Sequence, residues 1–242
     1  MAYPYAWDYR FYYPVFYWSF FLLMLVTDLL FKKYRIGQEK EEKAMEAEVK
    51  ATIEDAQKLM VNSVAAIGRM IDEKDNYTRQ HSQRVADYSR LIAENLKSFH
   101  PIEKEVDQIY RSALLHDIGK IAIPDAILKK TSRLTDEEYA IMKTHPVWGK
   151  KILAGLSFLP QADYGASYHH ERYDGKGYPE GIRTDDLPYI VRIISAADAL
   201  DAMNSNRCYR KQCSRNYIIS EFEKGSGTQF DPEVAETVIY LI

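Results

Sequence analysis

The feature that most constrains the fold is an apolar run near the N-terminus, residues 15–31, which reads VFYWSFFLLMLVTDLLF. Only one serine, one threonine and one aspartate interrupt it. With its neighbours the run reaches the roughly 17–25 residues that cross a bilayer core as a helix. We therefore predict one transmembrane helix at about 13–31, within an N-terminal segment that covers residues 1–35.

Basic and aromatic residues flank this run as they flank membrane helices. Lys32, Lys33 and Arg35 follow it at once, whereas Arg10 alone precedes it. The positive-inside rule therefore puts the C-terminal side in the cytoplasm. Tyrosine and tryptophan side chains suit the membrane–water interface, and they crowd the N-terminal side at Tyr3, Tyr5, Trp7, Tyr9, Tyr12, Tyr13, Tyr17 and Trp18.

Two other interpretations compete for the apolar run. A cleaved signal peptide needs a basic start and a small-residue cleavage site, and neither is visible. A buried helix of a soluble protein stays open, because Asp28 interrupts the run near its end. In a membrane helix Asp28 would lie near the cytoplasmic headgroups or face a partner helix.

Residues 36–58 are predicted to form a charged linker helix, because Gln38–Lys58 is rich in Glu, Lys and Ala, which are strong helix formers. Apolar side chains recur every three or four positions, which traces one helix face. They are Met45, Val49, Ile53, Ala56, Met60, Val64 and Ile67. This face either pairs two copies in a parallel homodimer or docks on the chain's own domain, and the pattern does not choose between them.

The remaining residues, 59–242, have the pattern of an all-α domain. Ala86–Lys97, Val106–His116 and Glu137–Leu153 carry apolar residues at helical spacing, and alternating strand patterns are scarce. Glycine and proline cluster at Asp174–Pro188, which predicts a loop.

Charge and cysteine content narrow the function classes. The chain carries 32 basic and 35 acidic side chains, which argues against binding a nucleic acid polymer, because such proteins are normally basic. Its two cysteines form no C-x-x-C pair, which disfavours a thiolate zinc site. An acidic domain that acts on an anionic substrate needs local positive charge, which bound metal ions supply.

Two adjacent pairs of polar residues are candidate metal ligands. His116-Asp117 ends an apolar helical stretch, and His169-His170 closes another. A lone His-Asp pair is weak evidence. Two neighbouring imidazoles are stronger evidence, since they offer two ligands to one ion, or one ligand and one supporting group.

Single residues extend the candidate set. Asp198 lies in a strongly apolar helix, where a carboxylate is costly unless it is paired or binds metal. Asp201, three residues on, shares that helix face as a supporting group or a simple surface charge. His81 follows a predicted helix start, and His145 precedes Pro146 at a helix boundary.

Taken together, five histidines, Asp117 and Asp198 provide only nitrogen and oxygen ligands. This donor set favours iron, manganese or a related divalent ion. Seven ligands exceed the need of one ion and fit two. His100, between two predicted helices, is excluded as a loop histidine.

These residues, in this order, resemble the motifs of the HD-GYP family, a branch of the HD phosphohydrolase superfamily. The resemblance covers about residues 60–242, in the segments DNYTRQHSQRV, LLHDIGKIAIPDAIL, MKTHPVWGKKIL, YHHERYDGKGYPEG, IISAADALDAM and GTQFDPEV. It implies an HD-type helical bundle that holds two divalent metal ions, Fe or Mn. It also implies hydrolysis of the bacterial second messenger cyclic di-GMP to pGpG, GMP or both, here at the bacterial inner membrane.

The resemblance also implies the site residues. The metal ligands would be His81, His116, Asp117, His145, His169, His170 and Asp198. Asp117 would be catalytic and bridge the ions, with His81, His116 and Asp198 on one ion and the other three histidines on the second. Some family members bind a third metal through a carboxylate at the position of Tyr77, so two ions are expected here.

Further roles follow from the same resemblance. Lys120 is expected to contact the substrate phosphate and to take part in catalysis, and Arg172 and Lys176 are expected to bind substrate. Glu171 is a candidate acceptor for an imidazole N–H. Tyr178 either stacks on guanine or packs the loop, and packing is favoured.

Three segments depart from the family pattern. Residues 130–135 read KTSRLT instead of KPGxLT, residues 181–188 lack a second glycine, and residues 206–210 read NRCYR instead of DRPYR. None of these changes removes a ligand, but they bear on substrate recognition. The alternatives are therefore a phosphohydrolase for another cyclic dinucleotide or nucleotide, or a non-hydrolytic cyclic di-GMP receptor that docks a cyclic-dinucleotide synthase domain.

Overall fold

The computed structural model describes residues 9–74, 80–154, 161–205 and 212–242. Within these ranges the chain has no β-strand, which confirms the predicted all-α class. The α-helices are α1 (Tyr9–Lys74), α2 (His81–Asn95), α3 (Glu103–Leu114), α4 (Asp125–Leu128), α5 (Asp136–Met142), α6 (His145–Leu153), α7 (Ala162–Tyr168), α8 (Tyr189–Asn204), α9 (Arg215–Gly225) and α10 (Pro232–Leu241). Two 3-10 helices cover Ile118–Ala122 and Thr184–Asp186.

The chain divides into two compact units, residues 1–59 and residues 60–242. The described part of the first unit is a single helical segment of α1. It exposes large apolar side chains, among them Phe16 and Leu23. By length and composition α1 is apolar enough in its N-terminal part to cross a membrane.

The second unit is built around α8, which is apolar on nearly all sides. Ile193, Ile194 and Ala197 are fully buried there, as expected of a helix that is hydrophobic all round. Helices α2, α3 and α7 pack against α8, and α9 and α10 close the bundle. The last turns of α1 contribute Val64 and Ile71 to the same core.

A second, smaller hydrophobic cluster lies apart from the main core. Its buried members are Ile123, Ile127 and Leu128, and the partly buried Leu134 and Met142 pack against them. This cluster joins α4 to α5 through the connecting residues 129–135.

Two helices, α5 and α6, cover the stretch Glu137–Leu153, and the boundary between them lies beside Pro146, where the sequence predicts a helix boundary. The cause is Pro146, which lacks an N–H and disfavours helical geometry at the residue before it. Within the first turn of α6 the missing N–H has no cost, because no intrahelical acceptor is available there. The break makes His145 the first residue of α6.

Candidate metal centre

Six of the seven predicted ligands lie where helices begin or end. His81 and His145 are the first residues of α2 and α6. The remaining four follow the ends of α3 and α7. His116 and Asp117 lie two and three residues after α3, and His169 and His170 are the first two residues after α7. Asp198 alone lies inside a helix, α8.

The start of α2, which carries His81, is held by a buried carboxylate from α1. Asp72 is only 4% exposed. It accepts hydrogen bonds from the Ser82 backbone N–H, at 3.2 and 3.3 Å, and from the Ser82 hydroxyl, at 2.7 Å. A helix start leaves backbone donors without intrahelical partners, and Asp72 satisfies one of them.

Backbone carbonyls orient three of the imidazoles. His116 Nδ1 lies 2.7 Å from the Ala113 carbonyl oxygen, and His145 and His169 make the equivalent contacts at 2.8 Å. A carbonyl only accepts, so Nδ1 carries the proton and Nε2 keeps its lone pair. All three histidines therefore have Nε2 free to bind a metal.

Asp117 lies between two groups of imidazoles. Its Oδ2 is 3.4 Å from His116 Nε2 and 3.8 Å from His81 Nε2. Its Oδ1 is 3.4 Å from His145 Nε2 and 3.8 Å from His169 Nε2. One carboxylate thus presents a separate oxygen to each group.

The other two predicted ligands complete the groups. Asp198 Oδ1 is 3.3 Å from His81 Nε2. The His170 ring centroid is 4.0 Å from that of His169 and 5.0 Å from that of His145. Two sets, His81–His116–Asp117 and His145–His169–His170, each bring their potential ligand atoms within 4.8 Å of one another.

Two features of the imidazoles are explained by bound cations and not by contacts among the side chains themselves. His116 Nε2 is buried and has no hydrogen-bond partner among the described residues. His145 Nε2 and His169 Nε2 lie 3.3 Å apart, and both are lone-pair nitrogens in the tautomers given above. Lone pairs that face each other in a buried site are compensated by a cation. The residues therefore fit a metal centre.

Burial and neighbouring charges set the protonation states of these ligands. Burial raises the pKa of Asp117, but the Lys120 ammonium and the imidazoles outweigh it and hold that pKa well below its ordinary value. Burial, reinforced by neighbouring imidazoles, lowers the pKa of His169 well below normal and that of His170 to about 3. Burial also lowers the pKa of His145. These three imidazoles are therefore neutral near pH 7.

His81 differs, because burial lowers its pKa but hydrogen bonds to Asp198 and Asp201 outweigh that effect and raise it to about 9. It is thus protonated at pH 7.5 in the metal-free protein, and a ligand must be deprotonated. We predict that metal binding at pH 7.5 releases about one proton from His81. Calorimetric titrations in buffers with different ionisation enthalpies measure this number, and equal heats in all buffers would contradict it.

Asp201 supports His81 from α8 and resolves the alternative left open by its sequence position. Its carboxylate is 1% exposed, lies 2.7 Å from His81 Nδ1, and accepts from Arg84 Nε at 2.6 Å and Arg84 Nη2 at 3.0 Å. The Asp201–His81 contact fixes the imidazole with Nε2 toward Asp117 and Asp198. Arg84 was not among the candidate residues, although it lies one turn after His81 on α2 and holds Asp201.

This arrangement predicts that Asp201→Asn weakens metal binding by roughly 10–100-fold, the usual cost of losing a partner of a metal-bound histidine. Competition with a chelator of known affinity measures the change. Asp87→Asn removes an exposed carboxylate from α2 and serves as the control. Equal metal affinity in Asp201→Asn and Asp87→Asn would contradict the supporting role.

Five of the seven candidate ligands line a cavity of about 800 Å³. Lys120 Nζ also lies there, 2.7 Å from Asp117 Oδ2. The cavity is lined by His81, Asp117, Lys120, Ile127, Leu128, Lys130, Thr131, Ser132, Arg133, Leu134, Asp136, Tyr139, Met142, His145, His170, Tyr178 and Asp198. A volume of this size suits a small-molecule ligand.

In the loop that follows α7, Glu171 accepts hydrogen bonds from the loop backbone and not from an imidazole. Glu171 is 1% exposed and accepts the backbone N–H groups of residues 180, 181 and 182 at 2.8–3.1 Å. It therefore holds the loop closed, and its expected role as an imidazole acceptor is wrong. Tyr178 stacks on His170 with ring centroids 4.7 Å apart, so it packs the loop against the site.

Two predicted substrate contacts are not brought to the cavity. Arg172 donates to both oxygens of Asp174, at 3.0 Å each, and Lys176 is exposed. Neither belongs to the described residues that line the cavity. His100 is exposed in the connection between α2 and α3, and it too is absent from that lining. Tyr77, which stands at the third-metal position of some family members, and the segment 206–210, which departs from the family pattern, lie outside the described residues.

Comparison with known proteins places this arrangement in a family. The sequence model of the HD domain family matches residues 66–234, which is most of the chain. The chain therefore belongs to the HD domain family. Its relatives also support the HD-GYP branch of that family.

A cyclic di-GMP phosphodiesterase of Thermotoga maritima is 41% identical over 74% of this chain and 48% of its own length. The 3′3′-cGAMP-specific phosphodiesterase 3 of Vibrio cholerae is 38% identical over 70% of this chain and 36% of its own length. The chain thus spans less than half of either relative. The solved structure of a cyclic GMP-AMP-specific phosphodiesterase of V. cholerae has a TM-score of 0.57 at 19% identity, over 75% of this chain and 48% of that one, which supports the fold.

Proposed function

We propose that this chain is a metal-dependent phosphodiesterase that hydrolyses a cyclic dinucleotide, with cyclic di-GMP as the substrate and pGpG, GMP or both as products. One observation carries the proposal, namely that Asp117 lies between two groups of potential nitrogen and oxygen ligands and lines a cavity of about 800 Å³. The relatives named above act on cyclic di-GMP or 3′3′-cGAMP, which supports the substrate class.

Two divalent ions, Fe or Mn by the absence of sulfur from the donor set, would be held by the chain's own residues. Asp117 would bridge them. His81, His116 and Asp198 would complete one position, and the other three histidines would complete the second. Divalent ions at such a site supply charge that stabilises a phosphoryl group under attack.

Lys120 is the protein group best placed to assist. Its ammonium is 15% exposed and lies 2.7 Å from Asp117 Oδ2. A lysine at this position can neutralise developing charge on a phosphoryl oxygen without leaving the centre. The chemistry therefore needs little from other side chains beyond orienting the diester.

The test uses the full chain, purified in detergent and loaded anaerobically with Fe²⁺ or Mn²⁺. Cyclic di-GMP, 3′3′-cGAMP and cyclic di-AMP are supplied separately, and products are separated by chromatography. Turnover of cyclic di-GMP to pGpG or GMP is expected. Turnover of another cyclic dinucleotide alone would favour the alternative phosphohydrolase, and tight binding of cyclic di-GMP without turnover would favour the receptor.

We also propose that residues 13–31 anchor the chain in the bacterial inner membrane with the second unit in the cytoplasm. Their exposed apolar side chains and the following basic cluster support this. The chain is expected to stay with membranes in alkaline carbonate and to be released by detergent. Release by carbonate alone would contradict the anchor.

The linker helix is proposed to pair two copies in a parallel homodimer. Met45, Val49 and Ile53 are 66%, 53% and 51% exposed on one helix face, and a sustained apolar face of this kind suits a coiled coil. In a background with both native cysteines replaced by serine, Val49→Cys is expected to form an intermolecular disulfide. Lys50→Cys, one position along and off that face, is the control.

A further inference from the structure

One wall of the cavity is distinct from the metal centre, and we call it the α5 wall. It consists of the cavity-lining residues between 127 and 142. Within this range Leu134 and Met142 pack against the small cluster of Ile123, Ile127 and Leu128. This cluster is separate from the main core, and Arg133, Asp136 and Tyr139 of the wall are exposed, so none of these three side chains is part of either buried cluster.

The connection before α5 is fixed at several points. Lys130 Nζ lies 2.5 Å from Glu138 Oε2. The Thr135 hydroxyl caps α5 by accepting from the Glu138 backbone N–H at 3.3 Å, while Glu138 accepts the Thr135 backbone N–H at 2.8 Å. Leu134 packs into the small cluster. This anchoring pre-orders the residues between these points, which lowers the entropy cost of binding a ligand there.

Arg133, Asp136 and Tyr139 of the α5 wall line the cavity and could bind a ligand through polar or aromatic groups. Arg133 and Asp136 have no hydrogen bond or ion pair from their side chains within the described part of the chain. Tyr139 is 49% exposed, and the Lys143 ammonium lies 5.1 Å from its ring centroid. Asp136 and Tyr139 are three residues apart on α5, so they share a helix face.

We infer that Arg133, Asp136 and Tyr139 form a guanine-binding subsite that determines which cyclic dinucleotide the chain accepts. The inference rests on the proposed function. Guanine carries two acceptors, O6 and N7, on one edge, which the planar Arg133 guanidinium matches with two N–H donors. It carries two donors, N1–H and the 2-amino group, on the adjacent edge, which the Asp136 carboxylate matches. The Tyr139 ring provides a surface for stacking.

The same groups reject adenine. Adenine has no 2-amino group, and its N1 is an acceptor that would face the Asp136 carboxylate. Its 6-amino group is a donor that would face the Arg133 guanidinium. Unmatched polar groups in a binding site discriminate more strongly than lost contacts alone. The α5 wall therefore selects guanine on both edges.

The first test measures binding without turnover. Equilibrium dialysis of the full chain in detergent compares GMP with AMP, two ligands with the same phosphate and ribose. GMP is expected to bind about tenfold or more tightly than AMP, the scale of one well-made bidentate contact. Asp136→Asn is expected to abolish that preference, because its amide can donate to adenine N1. Arg133→Lys is expected to reduce it, because an ammonium lacks the planar fork.

The matched control is Glu137→Gln, which removes the same charge one residue along α5. Glu137 is exposed and does not belong to the described cavity lining. Equal binding of GMP and AMP by the wild type would overturn the subsite. So would a GMP preference in Asp136→Asn that matches the preference in Glu137→Gln.

The second test uses turnover in the metal-loaded full chain. Asp136→Asn is expected to lower kcat/KM for cyclic di-GMP at least tenfold more than for bis(4-nitrophenyl) phosphate, a diester without a base. Equal losses on both substrates would overturn the subsite and leave the proposed function intact. Selective GMP binding without hydrolysis of any cyclic dinucleotide would reject the proposed function and leave the subsite standing.

Discussion

Asp117→Asn is expected to lose bound metal and phosphodiesterase activity together. Asparagine keeps the size of the side chain but offers one neutral oxygen where aspartate offers two charged ones. In the structure those two oxygens face different imidazole groups, at 3.4 Å each to His116 and His145. Both metal positions depend on this one residue, so its loss affects the whole centre.

The magnitude follows from the charge that is lost. Metal ions contribute several kcal/mol of transition-state stabilisation, which corresponds to roughly a thousandfold in rate. Elemental analysis of the purified full chain measures the metal, and product chromatography measures the rate. Asp87→Asn is the control, because Asp87 is exposed on α2, accepts a hydrogen bond from Gln83, and does not belong to the described cavity lining.

The double readout makes this prediction decisive. Full turnover in Asp117→Asn would refute the proposed centre. Retained metal with lost turnover would contradict the bridging role and leave Asp117 with a part in the chemistry alone. Circular dichroism at 222 nm is expected to match the wild type, since Asp117 lies between α3 and the following 3-10 helix and not inside an α-helix.

The helical class and the candidate ligands could be predicted from the sequence because their signals are local. Asp198 stood out because a carboxylate in an apolar helix needs a compensating partner, and the structure places it 3.3 Å from His81. Apolar spacing located α2 and α3, although the apolar stretches begin five and three residues after the helices do. In both instances the signal was local, carried by residues near one another in the chain.

What the sequence could not reveal are contacts between distant segments. Arg84 donates to Asp201, which lies 117 positions away in the chain, and no local sequence pattern predicts that pairing. Lys74 of α1 likewise donates to the carbonyls of Ile121 and Ile123, 47 and 49 positions away. Its ammonium thereby braces the segment that follows the metal-binding Asp117.

The incorrect role of Glu171 has a similar origin. Its position beside two histidines suggested an imidazole partner, but the nearest unsatisfied donors in three dimensions are loop N–H groups nine to eleven residues later. The contact of the Arg172 guanidinium with Asp174, two residues on, likewise became visible only in the structure. Motif membership indicated that these residues matter, and geometry was needed to show what they contact.

Gly119→Ala is expected to destabilise the second unit and to disrupt the metal centre without changing any ligand. Gly119 is buried in the 3-10 helix that follows Asp117. A Cβ there would lie 1.8 Å from the His145 carbonyl oxygen and 2.6 Å from the Gly149 backbone nitrogen. Both are backbone atoms of α6, so no side chain can rotate away to make room.

The clash can be removed only if the 3-10 helix and α6 move apart. This movement would separate His145 from Asp117, because His145 Nε2 now lies 3.4 Å from Asp117 Oδ1. We expect a loss of about 3 kcal/mol, the upper end of ordinary overpacking, and a fall in Tm of about 10 °C. Thermal unfolding measures the first effect, and elemental analysis measures the accompanying loss of metal.

Gly37→Ala is the matched control, because Gly37 lies in α1 with no atom within 4 Å of the position its Cβ would take. An exposed helical glycine gains about 1 kcal/mol of helix propensity on changing to alanine, so no fall in Tm is expected there. A Gly119→Ala protein with wild-type Tm and full metal content would mean that the 3-10 helix and α6 are not in van der Waals contact. Because that contact fixes the distance between His145 and Asp117, the same result would remove the geometric basis for a carboxylate shared between two metal positions.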